Sequence, residues 1–363
     1  MVPVGRLVLV RAIPKGDLVR AMSFLTMPSL LGPVMGPPLA GVLVTYADWR
    51  WIFLVNIPVA LLGIVMATIY FNDDRPDPVP LDVKGFALTS IALPGVVLSA
   101  ALAGRHVASP LVAASCFTIG IFAAALYVVH ARRIDRPLLD LRLFAFETFS
   151  AGVAGGVLYR MGVGASAFLM PLMLQIGFGL DALTSGLVTF TGAIGALLMK
   201  SMAPGLLRRF GFRQILIWNG LLASASLAAT ALFKPETPHL IISAALLMFG
   251  LVRSLQFTSL NAITYADVPA DKTAAATSLA SVSQQVSLSL GVAIAALVLE
   301  ASAAIGGHAS PHAADFAHAF VAVAIVSSLS ILWMVRLRPD AGHALSGVSR
   351  PTRDDPGPLA PGG

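Results

Sequence analysis

The sequence predicts an all-α integral membrane protein, a helical bundle of about ten transmembrane helices, and three observations carry that prediction. Hydrophobic residues make up 57% of the chain and charged residues only 12%, a balance foreign to soluble domains of this size. The mean hydropathy is +0.83. The apolar residues fall into long runs with charged or proline-rich borders, and 363 residues hold about ten spans of roughly 20 residues, each crossing about 30 Å of hydrocarbon.

Taken in order, the first run covers 22 to 45 and is dense in Gly and Pro, reading Gly32-Pro33-Val34-Met35-Gly36-Pro37-Pro38-Leu39-Ala40-Gly41. Such a stretch would break a soluble helix. In a bilayer, neighbouring helices re-satisfy the freed backbone groups, and small residues let helices approach closely. Further spans are expected at 51–71, 84–104, 108–130, 148–173, 182–203, 214–233, 239–262, 274–300 and 316–335. An even number of spans puts both ends on one side.

Basic residues decide which side, because lysine and arginine are retained in the cytoplasm. Of the 24, nineteen lie in the two termini and in the loops that share their side, and only Arg50, Arg105 and Lys234 lie opposite. Both termini are therefore expected to be cytoplasmic. The same distribution answers the net charge of +6: the basic residues are spread over loops and form no nucleic-acid-binding face. Met1 to Lys15 lacks the pattern of a cleavable signal, with Arg6 and Arg11 among its hydrophobics. From Pro339 to Gly363 the composition reads as a disordered tail.

Few residues invite chemistry. Cys116 is a lone cysteine in an apolar run, so no intrachain disulfide or thiolate metal site is available. His308, His312 and His318 sit in an Ala/Gly-rich external loop that reads as solvated, and no metal site is expected there. No Walker loop, zinc pattern or Ser-His-Asp order is present; the chain does not read as an enzyme, and no cofactor is expected. Two arginines stand apart. Arg160 and Arg253 each fall about twelve residues or more into a span, close to the bilayer centre at about 1.5 Å per residue. A charge at that depth faces the bundle interior or an aqueous cavity. Each could cap carbonyls or join an ion pair, or line a water-accessible path. Gln256 shares a helical face with Arg253, and Gln284, Ser287 and Gly291 form a second polar stripe. No carboxylate lies in the middle of any span.

The Gly/Pro stretch, followed by Trp49-Arg50-Trp51-Ile52-Phe53 with Asn56 and Pro58 and by Leu81-Asp82-Val83-Lys84-Gly85, resembles three successive motifs of one family. That family is the major facilitator superfamily, in its fourteen-span drug:proton antiporter branch of the EmrB and QacA type. The likeness continues through Pro171-Leu172-Met173-Leu174-Gln175, Arg253 to Asn261, and Gln284-Gln285 with Gly291. There are two departures. Ala40-Gly41 replaces a paired glycine, and Arg208 in Leu207-Arg208-Arg209-Phe210-Gly211 stands where the cytoplasmic gating motif has its acid.

The resemblance implies an inner-membrane exporter of amphipathic or cationic small molecules driven by protons, with a periplasmic adaptor and an outer-membrane channel as candidate partners. It makes Gly32, Pro33, Gly36, Pro37 and Gly41 the antiporter motif and hinge, and Arg208, Arg209 and Gly211 a gating loop. Arg160, Gln175, Arg253, Gln256 and Gln284 become the candidate translocation path. It further aligns the first span with span five of the family, so that spans one to four would be lacking and Met1 to Arg11 would be the end of span four. The expected division is then 1–71 for two helices of an N-terminal bundle, 72–147 for two linking spans, 148–338 for a six-helix C-terminal bundle, and 339–363 for the tail. The competing expectation is a non-transporting remnant or regulatory protein that pairs with full-length transporters.

Overall fold

The computed structural model describes residues 35–36, 38–70, 81–104, 109–135, 137–269, 272–307 and 310–342. Among them the secondary structure is helical throughout, in ten stretches: α1 (38–46), α2 (Trp51–Leu54 and Asn56–Tyr70), α3 (Val83–Gly104), α4 (Pro110–Ala131), α5 (Glu147–Gly177), α6 (Ala182–Phe210), α7 (Phe212–Ala229), α8 (His239–Ile263), α9 (Thr273–Ile305) and α10 (Ala313–Ser328). Short further turns close α7 at Thr230–Leu232 and α10 at Ile331–Met334. Eight helices have the length and hydropathy of membrane spans, and Val83–Ser99 is a shorter apolar one. The chain is a multi-pass membrane protein. Gly32, Pro33, Pro37, His308 and the tail beyond 342 lie outside the described residues, as does most of the first expected span.

Local chemistry sets the helix ends. Asp181 caps α6 by accepting from the Thr184 amide at 2.9 Å and the Thr184 hydroxyl at 2.6 Å. These bonds hold its carboxyl below the ordinary carboxylate pKa. At the other end Gly211 turns the chain at φ +73°, a conformation that favours glycine, and α7 starts at once. The Asp315 carboxylate accepts from the backbone N–H of His312, closing a capping box at the start of α10. Within α5, wide turns at Ala151–Gly155 and Met173–Gly177 interrupt the regular pitch.

Helices α5 to α10 pack on one another, chiefly as α6 against α8, α5 against α9 and α10, and α7 against α8 and α10. Glycines make the closest crossings possible. A Cβ on Gly250 of α8 would collide with the Gly192 carbonyl of α6, and one on Gly291 of α9 with the Met161 carbonyl of α5. One buried apolar cluster gathers Leu169, Leu174, Ile242, Phe316 and Phe320. A second gathers Tyr159, Leu216, Leu260, Ile263 and Met334 nearer the expected cytoplasmic side. Residues 339–342, expected to be disordered, instead form a turn in which Gly342 (φ +77°) lies against Phe212 and Ile263.

Helices α3 and α4 form a hairpin crossing at Gly95 and Gly120, and α3 rests against α9. One end of the hairpin is clasped. The Asp82 carboxylate accepts from the Gly85 amide at 2.8 Å and the Leu138 amide at 3.3 Å, and lies 2.7 Å from His130 Nε2. Burial raises the Asp82 pKa, but the bonds from His130, Gly85 and Leu138 outweigh it and leave the group below its usual value. Helix α2 differs from the rest, since none of the window Trp51–Ile69 is buried. Its surface is apolar on all sides, as lipid contact or helix contact in a bilayer requires.

Candidate functional site

Where α1 meets the larger bundle, the helices do not close completely, and a cavity of about 510 Å³ remains between α1, α5, α6 and α8. Small residues make the space. Ala40 and Gly41 line it from α1, Gly36 from just before that helix, and Gly186, Gly192 and Gly250 from α6 and α8. A Cβ on Gly41 would stand 2.9 Å from the Ala182 carbonyl oxygen, so α1 touches the start of α6 through this glycine. Around Gly36 there is open space for a Cβ. The contact that the Gly/Pro stretch makes with the bundle, among the described residues, therefore passes through Gly41.

The lining is mostly apolar, with Met170, Leu246 and Phe249 among its larger members. Its polar groups are few and placed on three helices. Gln175 donates to the Ser185 hydroxyl at 3.4 Å, linking the end of α5 to α6. Thr189 returns its hydroxyl to the Ser185 carbonyl of its own helix at 2.9 Å. Arg253 enters from α8, half-buried, with its guanidinium 5.8 Å from the centre of the Phe249 ring. Its own carbonyl accepts from the Tyr159 hydroxyl at 3.1 Å, which ties this turn of α8 to α5.

The five residues expected on a path thus divide. Gln175 and Arg253 line the cavity. Arg160 lies away from it, 2% exposed, donating to the Gly152 carbonyl at 3.3 Å and to Asn261 at 3.0 Å with Phe257 stacked at 5.8 Å. The missing side chain of Gly156 leaves room for it. Gln256, 1% exposed, donates to the Leu216 carbonyl at 3.0 Å and accepts from Asn219 at 3.1 Å, bonding α8 to α7. Gln284 is half-buried on α9, outside the cavity lining. At the expected gating loop, Arg208 and Arg209 are exposed in the last turn of α6, and Arg209 lies 5.4 Å from the Phe210 ring. Neither makes an ion pair among the described residues. Sequence reasoning passed over Asn219 and Tyr159. Their signal was a hydrogen-bonding group inside an apolar run, which in lipid has to find a partner on another helix.

A bundle of membrane-spanning helices around a half-enclosed, mostly apolar cavity with scattered polar groups is the arrangement of a membrane transporter. The profile of the Major Facilitator Superfamily matches residues 1–292 and, in a second match, 153–354. The chain belongs to that superfamily. Its relatives include MdtD of Escherichia fergusonii, 34% identical over 97% of this chain and 75% of that protein, and MdtD of Pectobacterium atrosepticum, 33% identical over 94% and 73%. MdtD of Escherichia coli strain K12 is similar to the same degree, at 34% over 97% and 75%. All three are named for multidrug resistance, and they support the drug-efflux branch of the superfamily.

Proposed function

We propose that this chain exports amphipathic organic molecules across the bacterial inner membrane by alternating access, in exchange for protons, with both termini in the cytoplasm. The observation that carries the reading is the cavity between the motif-bearing α1 and helices α5, α6 and α8. Alternating access rocks two bundles about a site at their junction, and on the expected division of the chain a cavity between α1 and the larger bundle would lie at such a junction. Its volume and apolar lining suit a drug-sized amphiphile. Of the two expected substrate classes, the lining supports the amphipathic one. A cationic group would meet Arg253, with no carboxylate among the described lining residues to offset it.

Coupling to protons follows from the resemblance alone, and the cytoplasmic termini from the distribution of the basic loops. Dye retention in cells expressing the chain tests it, with ethidium as a cationic probe and anilinonaphthalenesulfonate as an anionic one. Faster efflux of either dye than from control cells, abolished by a proton uncoupler, is the expected result. Retention equal to that of control cells for both dyes would contradict it.

A further inference from the structure

We propose that the cavity is built for amphipathic organic anions carrying a carboxylate, and that Arg253 is the residue that selects them. The inference rests on reading this cavity as the translocation site. Arg253 lies near the middle of α8, about 20 Å along the helix from His239, so its charge belongs at membrane depth. An uncompensated charge there is costly unless it is paired or hydrated.

Among the described residues the guanidinium has no hydrogen-bond acceptor and no carboxylate within ion-pair distance, and the Phe249 ring lies 5.8 Å from it. Arg160, the other cation of the bundle interior, donates from its two terminal nitrogens to carbonyl and amide oxygens, and its buried Nε has no partner among the described residues. It therefore adds positive charge to the interior with no acid to cancel it. Of the hydroxyls that share the cavity, those of Ser166 and Thr189 are turned back to carbonyls of their own helices, and that of Ser185 accepts from Gln175. They leave the guanidinium fork as the strongest unengaged donor on the wall.

A planar carboxylate matches that fork with two parallel charge-assisted hydrogen bonds. The body of the same molecule can lie against Leu246, Phe249 and Met170. Carboxylate and arginine then neutralise each other against a mostly apolar wall, whereas a cationic head would raise the local charge. Charge sign is thus set by one residue, while shape selection is left to the loose apolar wall.

The test is equilibrium dialysis of the purified chain in lipid nanodiscs against two probes of matched shape, naphthylacetate and naphthylmethyltrimethylammonium. The wild-type chain should bind naphthylacetate at least about tenfold more tightly than the cation. Arg253→Gln should bring the two within about twofold of each other, and Arg253→Lys should keep the preference in weakened form. Equal or tighter binding of the cation by the wild type would overturn the proposal. So would a preference unchanged in Arg253→Gln, or binding of neither probe. If Arg253→Gln fails to fold, the wild-type preference and the lysine variant still decide. Efflux is scored separately: a carboxylate preference without efflux would overturn transport alone, and efflux with a cation preference would overturn the charge assignment alone.

Discussion

Two arginines at similar depth do different work, and the difference is decided by what faces each one. Arg160 is enclosed between the wide turn of α5 and the end of α8, where the Gly152 carbonyl and the Asn261 amide oxygen accept from its two terminal nitrogens. Arg253 opens onto the cavity. Removing Arg160 orphans the Gly152 carbonyl and the Asn261 amide, so Arg160→Ala should lower stability by about 1–3 kcal/mol. Arg253→Gln should cost a smaller amount, because no hydrogen bond is lost. Thermal unfolding of the detergent-solubilised variants side by side checks the contrast; equal losses would contradict it. Both arginines were legible in the sequence as charges in apolar runs. Their separation was not, because helical spacing gives a face and does not name the neighbouring helix. Gln256 shows the same limit: three residues from Arg253, it turns to Asn219 and Leu216 on α7 instead of the cavity.

At the scale of the element, the bundle depends on glycines where backbone meets backbone. Gly291 has the Met161 carbonyl directly in the way of any Cβ, whereas the Cβ position of Gly205 on α6 is open. Gly291→Ala should therefore destabilise by about 1–3 kcal/mol through overpacking. Gly205→Ala should be neutral or slightly stabilising, since it raises helix propensity. The midpoint of thermal unfolding reads both, and a neutral Gly291→Ala would show that the α5–α9 crossing is looser than described.

The α3–α4 hairpin adds a pH-dependent element at its clasp, where the Asp82 side chain is 8% exposed. Its carboxyl has a folded-state pKa below the usual value, so the clasp contributes its full stability above about pH 4 and loses it as pH falls through the lowered pKa. Asp82→Asn should be less stable than the wild type at neutral pH, by about 1 kcal/mol. The gap should narrow on acidification. A gap independent of pH would contradict the ionised clasp. The sequence marked Leu81 to Gly85 as a motif, yet nothing in it paired Asp82 with His130, which is 48 residues away.

On the scale of the whole molecule, the fold class was readable, and eight of the ten expected spans are helices long and apolar enough to cross a membrane, because bilayer thickness sets the run length and the solvent forbids unpaired backbone. What composition could not supply was irregular pitch. The expected span at 148–173 is part of a helix that runs from Glu147 to Gly177 through two wide turns. Nor could it locate the cavity, which exists because small residues far apart in the chain, Gly41, Gly186 and Gly250, converge. The Gly/Pro motif was read as a place of close approach, and of its described glycines Gly41 makes one whereas Gly36, five residues before it, does not.

The central claim is that transport passes through the cavity between α1, α5, α6 and α8. The most direct test fills it. Gly186 lines the space from α6, and Gly186→Trp would occupy much of its volume. Uncoupler-sensitive dye efflux should fall to the level of control cells in this variant, while the amount of protein in the membrane stays the same. Efflux as fast as that of the wild type, with the tryptophan in place, would contradict the account.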